Sequence, residues 1–167
     1  MGERQASGDA RRAREFESFV SGAAGRLLHA ATLLTAENPD DNPYARRLLT
    51  LALAHTYAYW DLPRDDDPYD RARRHLATRF AREVWHRRGL PGRARPPLTG
   101  ALAVLTPQER LVVVLTLYDG LADEQAAALL GLSEERVRVI GGRAVATLSR
   151  PPRRPAPAVH ASGPAPS

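Results

Sequence analysis

Apolar residues recur at three- and four-residue spacing along most of the chain, and no stretch alternates apolar and polar positions in the way a half-buried strand does. The pattern predicts an all-α protein. The first helix is expected over 11–35, where Phe16, Phe19, Val20, Ala23, Leu27, Ala30, Ala31 and Leu34 share one side. Residues 1–10 are polar without that pattern and are expected to be disordered. Pro39 and Pro43, set among acids and amides, break the chain into a loop over 37–43. A second helix is predicted over 44–60, with Leu48, Leu51, Ala52 and Tyr59 on one side and Leu49, Leu53 and Trp60 on another. Only a strip of Arg46, Arg47, Thr50 and Tyr57 is left polar. A helix apolar on two sides packs against two neighbours, the second being either another part of the chain or a partner. The acidic turn at 61–68 leads into a third helix over 69–88, whose inner face collects Leu76, Ala77, Phe80 and Val84. The opposite face carries Arg71, Arg74, His75, Thr78, Arg82, Trp85 and His86.

From Leu105 to Arg150 the pattern shortens to three helices. Thr106-Pro107-Gln108-Glu109 is a capping box with proline at the first helical position, and Asp119-Gly120 ends that helix. The next two, over 123–130 and 134–149, are separated only by Gly131-Leu132-Ser133, which predicts a helix-turn-helix. Gly131 can adopt the left-handed conformation that ends a helix, and Ser133 can cap the free amides of the next. Leu132 and Val137 have the spacing of a hydrophobic staple, and Glu134 and Glu135 sit where the helix dipole favours acids. Gly141-Gly142 lies inside the last helix and weakens it by about 2 kcal/mol relative to two alanines.

Residues 89–100, GLPGRARPPLTG, read as a linker, and 151–167, rich in proline, alanine and serine, as a disordered tail. Two small helical domains, 11–88 and 101–150, are therefore expected, joined by a short linker, the second containing the helix-turn-helix.

Charge sharpens this picture. All 24 basic residues are arginine, and the net charge is +5. Residues 71–95 hold nine arginines against the single acid Glu83, whereas 98–150 hold five against six acids. A basic block so localised points to a polyanion surface. With Trp85 among the guanidiniums, the third helix can follow a phosphate backbone and stack an unpaired base. The absence of cysteine removes disulfides and thiolate metal sites, and the five histidines show no zinc spacing. Asp65-Asp66-Asp67 lacks the ligand spacing of a calcium loop and suits helix capping instead. No phosphate-cradling loop or nucleophile motif occurs, so neither cofactor nor metal nor enzymatic activity is expected. The N-terminal residues MGERQASGDARRARE have no apolar core of a signal peptide, and no apolar run reaches the ~20 residues of a membrane span. The protein is expected to be cytoplasmic, without membrane insertion.

Two helical units, a basic-aromatic helix ending the first and a helix-turn-helix ending the second: in this order the chain resembles the bacterial RNA polymerase sigma factors of the extracytoplasmic-function class, which keep only regions 2 and 4. The resemblance runs from about Glu15 to Arg150. It is carried by FESFVSGAAGRLLHAATLLT and DPYDRARRHLATRFAREVWHRR for region 2 and by LTPQERLVVVLTLYDGLADEQAAALLGLSEERVRV for region 4. It implies that Arg46, Arg47, Thr50 and Tyr57 face the clamp of core RNA polymerase. It also implies that Arg71, Arg74, Thr78, Arg82, Trp85, Arg87 and Arg88 capture the minus-10 promoter strand. In the last helix, Arg136, Arg138, Val139, Gly142, Arg143 and Arg150 would meet minus-35 DNA in the major groove. Core polymerase, promoter DNA and an anti-sigma factor are the implied partners. The chain departs from the family where Arg46, Arg47 and Thr50 replace the usual acidic pair and glutamine, where Val139-Ile140-Gly141-Gly142 replaces a small-basic-small run with a further arginine, and where Thr78 replaces an asparagine.

Two other readings remain open at this level. One is a degenerate sigma-like binding module for an anti-sigma factor or regulator. The other is a stand-alone helix-turn-helix regulator, against which the near-neutral charge of 98–150 weighs, because phosphate neutralisation supplies much of DNA affinity.

Overall fold

The computed structural model of the chain describes residues 2–61, 67–86 and 98–150. Six α-helices follow in order: α1 Gly2–Thr35, α2 Pro43–Ala58, α3 Pro68–His86, α4 Pro107–Val113, α5 Asp123–Leu130 and α6 Glu134–Leu148. A π-helical turn, Val114–Tyr118, continues α4. No strand is present among the described residues.

Helix α1 begins at Gly2, so residues 2–10 are helical rather than disordered. Glu3, Arg4, Gln5 and Ala6 are good helix formers, and extending an existing helix adds one hydrogen bond per residue without a new nucleus. Residues 6–11 are exposed, which is why no apolar pattern announces this extension. Farther along, Ala23, Leu27, Ala30, Ala31 and Leu34 are buried on the side their spacing predicts.

Helix α2 is capped from a distance. Asn42, at its N-cap, turns its side-chain amide away, donating to Thr32 Oγ1 at 3.0 Å and to the Pro39 carbonyl at 3.1 Å. The free amides of Tyr44 and Ala45 instead donate to the two carboxylate oxygens of buried Glu37, at 3.0 and 2.8 Å. A carboxylate there also faces the positive end of the helix dipole. Leu48 and Ala52 are buried as expected, whereas Tyr59 is exposed because α2 ends at Ala58. In α3, Asp67 Oδ1 accepts the Tyr69 amide at 3.1 Å, the capping role expected for the acidic turn.

The C-terminal helices follow the predicted joints. Thr106 and Glu109 form the reciprocal capping box; Gly131 is left-handed at φ 66°; Ser133 Oγ accepts the Arg136 amide at 3.2 Å. Gln125 Oε1 takes the Ala122 amide ahead of α5 at 3.1 Å.

The two units share one core. A single cluster joins Leu34, Leu48 and Phe80 of the first unit to Leu111, Leu115, Leu130 and Ile140 of the second. A polar seam helps to fix the arrangement. The amides of Thr99 and Gly100 both donate to the Ala36 carbonyl, at 3.1 and 3.0 Å, and Ala36 itself has a positive φ of 54°. Any Cβ at Gly100 would lie 2.9 Å from the Glu37 carbonyl oxygen, so only glycine fits. Of the expected 89–100 linker, only Leu98, Thr99 and Gly100 fall within the described residues.

Candidate nucleic-acid interface

The basic face of α3 is built by its burial pattern. Ala72, Leu76, Ala77, Phe80 and Ala81 point into the core, which turns Arg74, Arg82 and Trp85 outward. Trp85 is 37% exposed and stands on the arginine face rather than in the core. Arg71 donates to the Tyr59 carbonyl at 2.7 Å, tying the start of α3 to the end of α2. Thr78 spends its hydroxyl within its own helix, donating to the carbonyls of Arg74 and His75. Arg87 and Arg88 lie outside the described residues.

Beside this face is an open cleft of about 440 Å³, lined by His55, Tyr59, Arg71, Arg74, His75, Thr78 and Leu129. Leu129 belongs to α5, so the helix-turn-helix unit forms one wall of a cleft whose other walls are the α3 face and the C-terminal end of α2. At its base the rings of His55 and His75 stack, with centroids 4.1 Å apart and planes 18° from parallel. Burial first, then His55, Arg79 and Arg82, push the His75 pKa below the ordinary histidine value. The stack brings together residues 20 positions apart on two helices and was not legible in the periodicity.

Along α2, Arg46, Arg47 and Thr50 are exposed together at the N-terminal end. Arg46 Nε donates to Asn42 Oδ1 at 2.8 Å, and Thr50 Oγ1 to the Arg46 carbonyl at 2.9 Å. Arg47 donates to both oxygens of Glu83 at 2.8 Å; Arg79 and the Tyr44 hydroxyl reach the same carboxylate at 2.9 and 2.8 Å. Glu83, the lone acid of the basic block, is thus a hub joining α2 to α3. Tyr57 lies two turns farther along, in an aromatic cluster with Phe16, under the Arg12 guanidinium at 4.5 Å. It is set apart from the arginine pair.

On α6, Val137, Ile140 and Ala144 are buried, and Arg136, Val139, Gly142 and Arg143 face outward; Arg150, past the end of the helix, is also exposed. Arg136 and Arg143, seven residues apart, lie on one line along the helix, and Arg150 follows just past its C-cap, Ser149. Arg138 is off this line and bonds Glu134, with Asp123 Oδ2 3.6 Å away. Neither interior glycine is imposed by packing. A Cβ at Gly141 would make an ordinary 3.6 Å contact with Val112, and one at Gly142 would meet nothing within 4 Å.

Comparison with known proteins shows the family of the chain. The RNA polymerase sigma-E factor of Streptomyces coelicolor is 32% identical over 152 residues, covering 80% of this chain and 84% of that protein. The chain belongs to the extracytoplasmic-function class of RNA polymerase sigma factors. The sigma-E factor of Streptomyces avermitilis is likewise 32% identical, over 80% of this chain and 83% of its own length. Residues 101–150 of this sigma factor match the family model for sigma-70, region 4, which places the helix-turn-helix in that region. The fold is similar to that of the sigma factor RpoE from Bartonella quintana, solved in complex with the anti-sigma factor NepR. That likeness has a TM-score of 0.57 and 21% identity, over 81% of this chain and 94% of that one. No described helix of this sigma factor is long and apolar enough to cross a membrane.

Proposed function

We propose that the chain directs transcription initiation in the cytoplasm. It binds core RNA polymerase, reads minus-35 DNA through α6, captures the minus-10 strand on α3 and assists promoter opening, catalysing nothing itself. The reading is carried by one observation: an exposed arginine and Trp85 face on α3 in the same chain as a region 4 helix-turn-helix whose outward face carries Arg136 and Arg143, with Arg150 just past its end. Arginines supply phosphate contacts, the tryptophan supplies a stacking platform, and a helix in the major groove supplies base readout. Full-length protein added to core polymerase should yield promoter-dependent transcripts from genomic fragments. A folded protein that yields none from any fragment overturns the reading.

A second reading is favoured by α2, which presents Arg46 and Arg47 and contains no acid. Such a surface suits a sigma-like module that engages an anti-sigma factor or other regulator without docking on polymerase. Recovery of core polymerase by the full chain at the level of an ordinary sigma factor would exclude it.

A further inference from the structure

The outward face of α6 has an apolar centre. Val139 is 48% exposed, although its neighbours Val137 and Ile140 are buried, so this valine contributes little to the core. The line of Arg136 and Arg143 flanks it on one side, and Gly142 flanks it on the other, nearly one turn along. The position of a Gly142 Cβ is open, so no side chain from the next turn leans over Val139, and the bare backbone beside it can be approached closely by a base edge. Valine is also stiff at χ1, so ordering it against a partner costs little side-chain entropy.

In the major groove the one apolar feature a base pair presents is the 5-methyl group of thymine; every other group is a hydrogen-bond donor or acceptor. We infer that Val139, with the bare backbone of Gly142, reads a thymine methyl in the minus-35 element and is a specificity-determining residue for promoter choice. This rests on the proposed placement of α6 in the groove. Arg136 and Arg143, one turn before and one turn after Val139, then serve as the polar contacts beside the methyl, while Arg138 is held by Glu134 and Asp123.

The test uses the full chain bound to core polymerase and a promoter selected from random minus-35 sequences. Each thymine of the selected element is replaced in turn by deoxyuridine, which removes the methyl and nothing else. At one position binding should weaken about 4-fold, the factor that corresponds to one buried carbon group. Val139→Ala, a change at an exposed site, should bind the thymine and uracil versions of that position alike. Uracil tolerated at every position, while unrelated minus-35 sequences still weaken binding, overturns the inference and leaves the groove placement standing. Uracil sensitivity that persists in Val139→Ala also overturns it, since another residue would then hold the methyl. Binding indifferent to the whole minus-35 sequence overturns the groove placement itself.

Discussion

The Arg110 Nε–H donates to the Leu34 carbonyl at 2.7 Å, across 76 positions of sequence and from the second helical unit to the first. Its Nη1 donates to the Leu105 carbonyl at the same distance, and the side chain is almost wholly enclosed. Removing it leaves two carbonyls without this donor at a buried seam. Arg110→Met should therefore destabilise the chain by roughly 2–4 kcal/mol, measured by urea unfolding. A loss below half a kilocalorie would show that the seam closes without it.

Glycines should divide by the space around them. Gly142→Ala removes a poor helix former from α6 where a methyl meets nothing, and should raise stability by about 1 kcal/mol. Gly100→Ala places its methyl 2.9 Å from the Glu37 carbonyl oxygen and should lower stability instead. Thermal melts of the two variants should shift in opposite directions; a shift of the same sign would overturn the division.

Trp85 should separate binding from folding. Its exposed side chain on the α3 face adds little to the core, so Trp85→Ala should leave the melting temperature within a few degrees of the parent. Affinity for a single-stranded minus-10 oligonucleotide, measured with the polymerase complex, should fall by about 1–3 kcal/mol, the worth of one stacked base. Unchanged affinity would remove Trp85 from the strand-capturing surface.

Stability should also depend on pH through His75. Burial lowers its folded pKa, so the unfolded chain binds more protons once the pH approaches the ordinary histidine value of about 6.5. The contribution of neutral His75 is thus fully present above that value and is lost as the pH falls toward the folded pKa. His75→Phe keeps a ring against His55 and should flatten the fall in melting temperature between pH 7.5 and 5.5. An unflattened curve would place the titration elsewhere.

Much of the fold was legible because it is local. The inward residues of α1 and α3, the Thr106–Glu109 capping box and the Gly131–Ser133 turn all announce themselves within one or two helical turns. What was not legible acts at a distance. Glu37 reads as a loop acid, yet it caps α2 from seven and eight positions upstream. His55 and His75 meet only because α2 and α3 pack side by side. Arg110 looks like one polar residue of α4, and nothing local marks Leu34 as its partner. The opening turns of α1 escaped for the opposite reason: they bury nothing, so hydrophobic periodicity has no signal there.

The shared core has a consequence for reach. Elements named minus-35 and minus-10 are about 25 base pairs apart, or about 85 Å at 3.4 Å per pair. Here α5 lines the same cleft as the α3 face, and Arg110, Gly100 and the common apolar cluster hold the units together. A chain in this conformation cannot span both elements at once. On the proposed function, only molecules whose units have parted are competent, and the apparent affinity is multiplied by the fraction in that state. Polymerase, by covering the apolar surface that parting exposes, would set that fraction. Promoter strength would then depend on how readily α4 leaves α1, as well as on the bases that the proposed α3 and α6 surfaces meet.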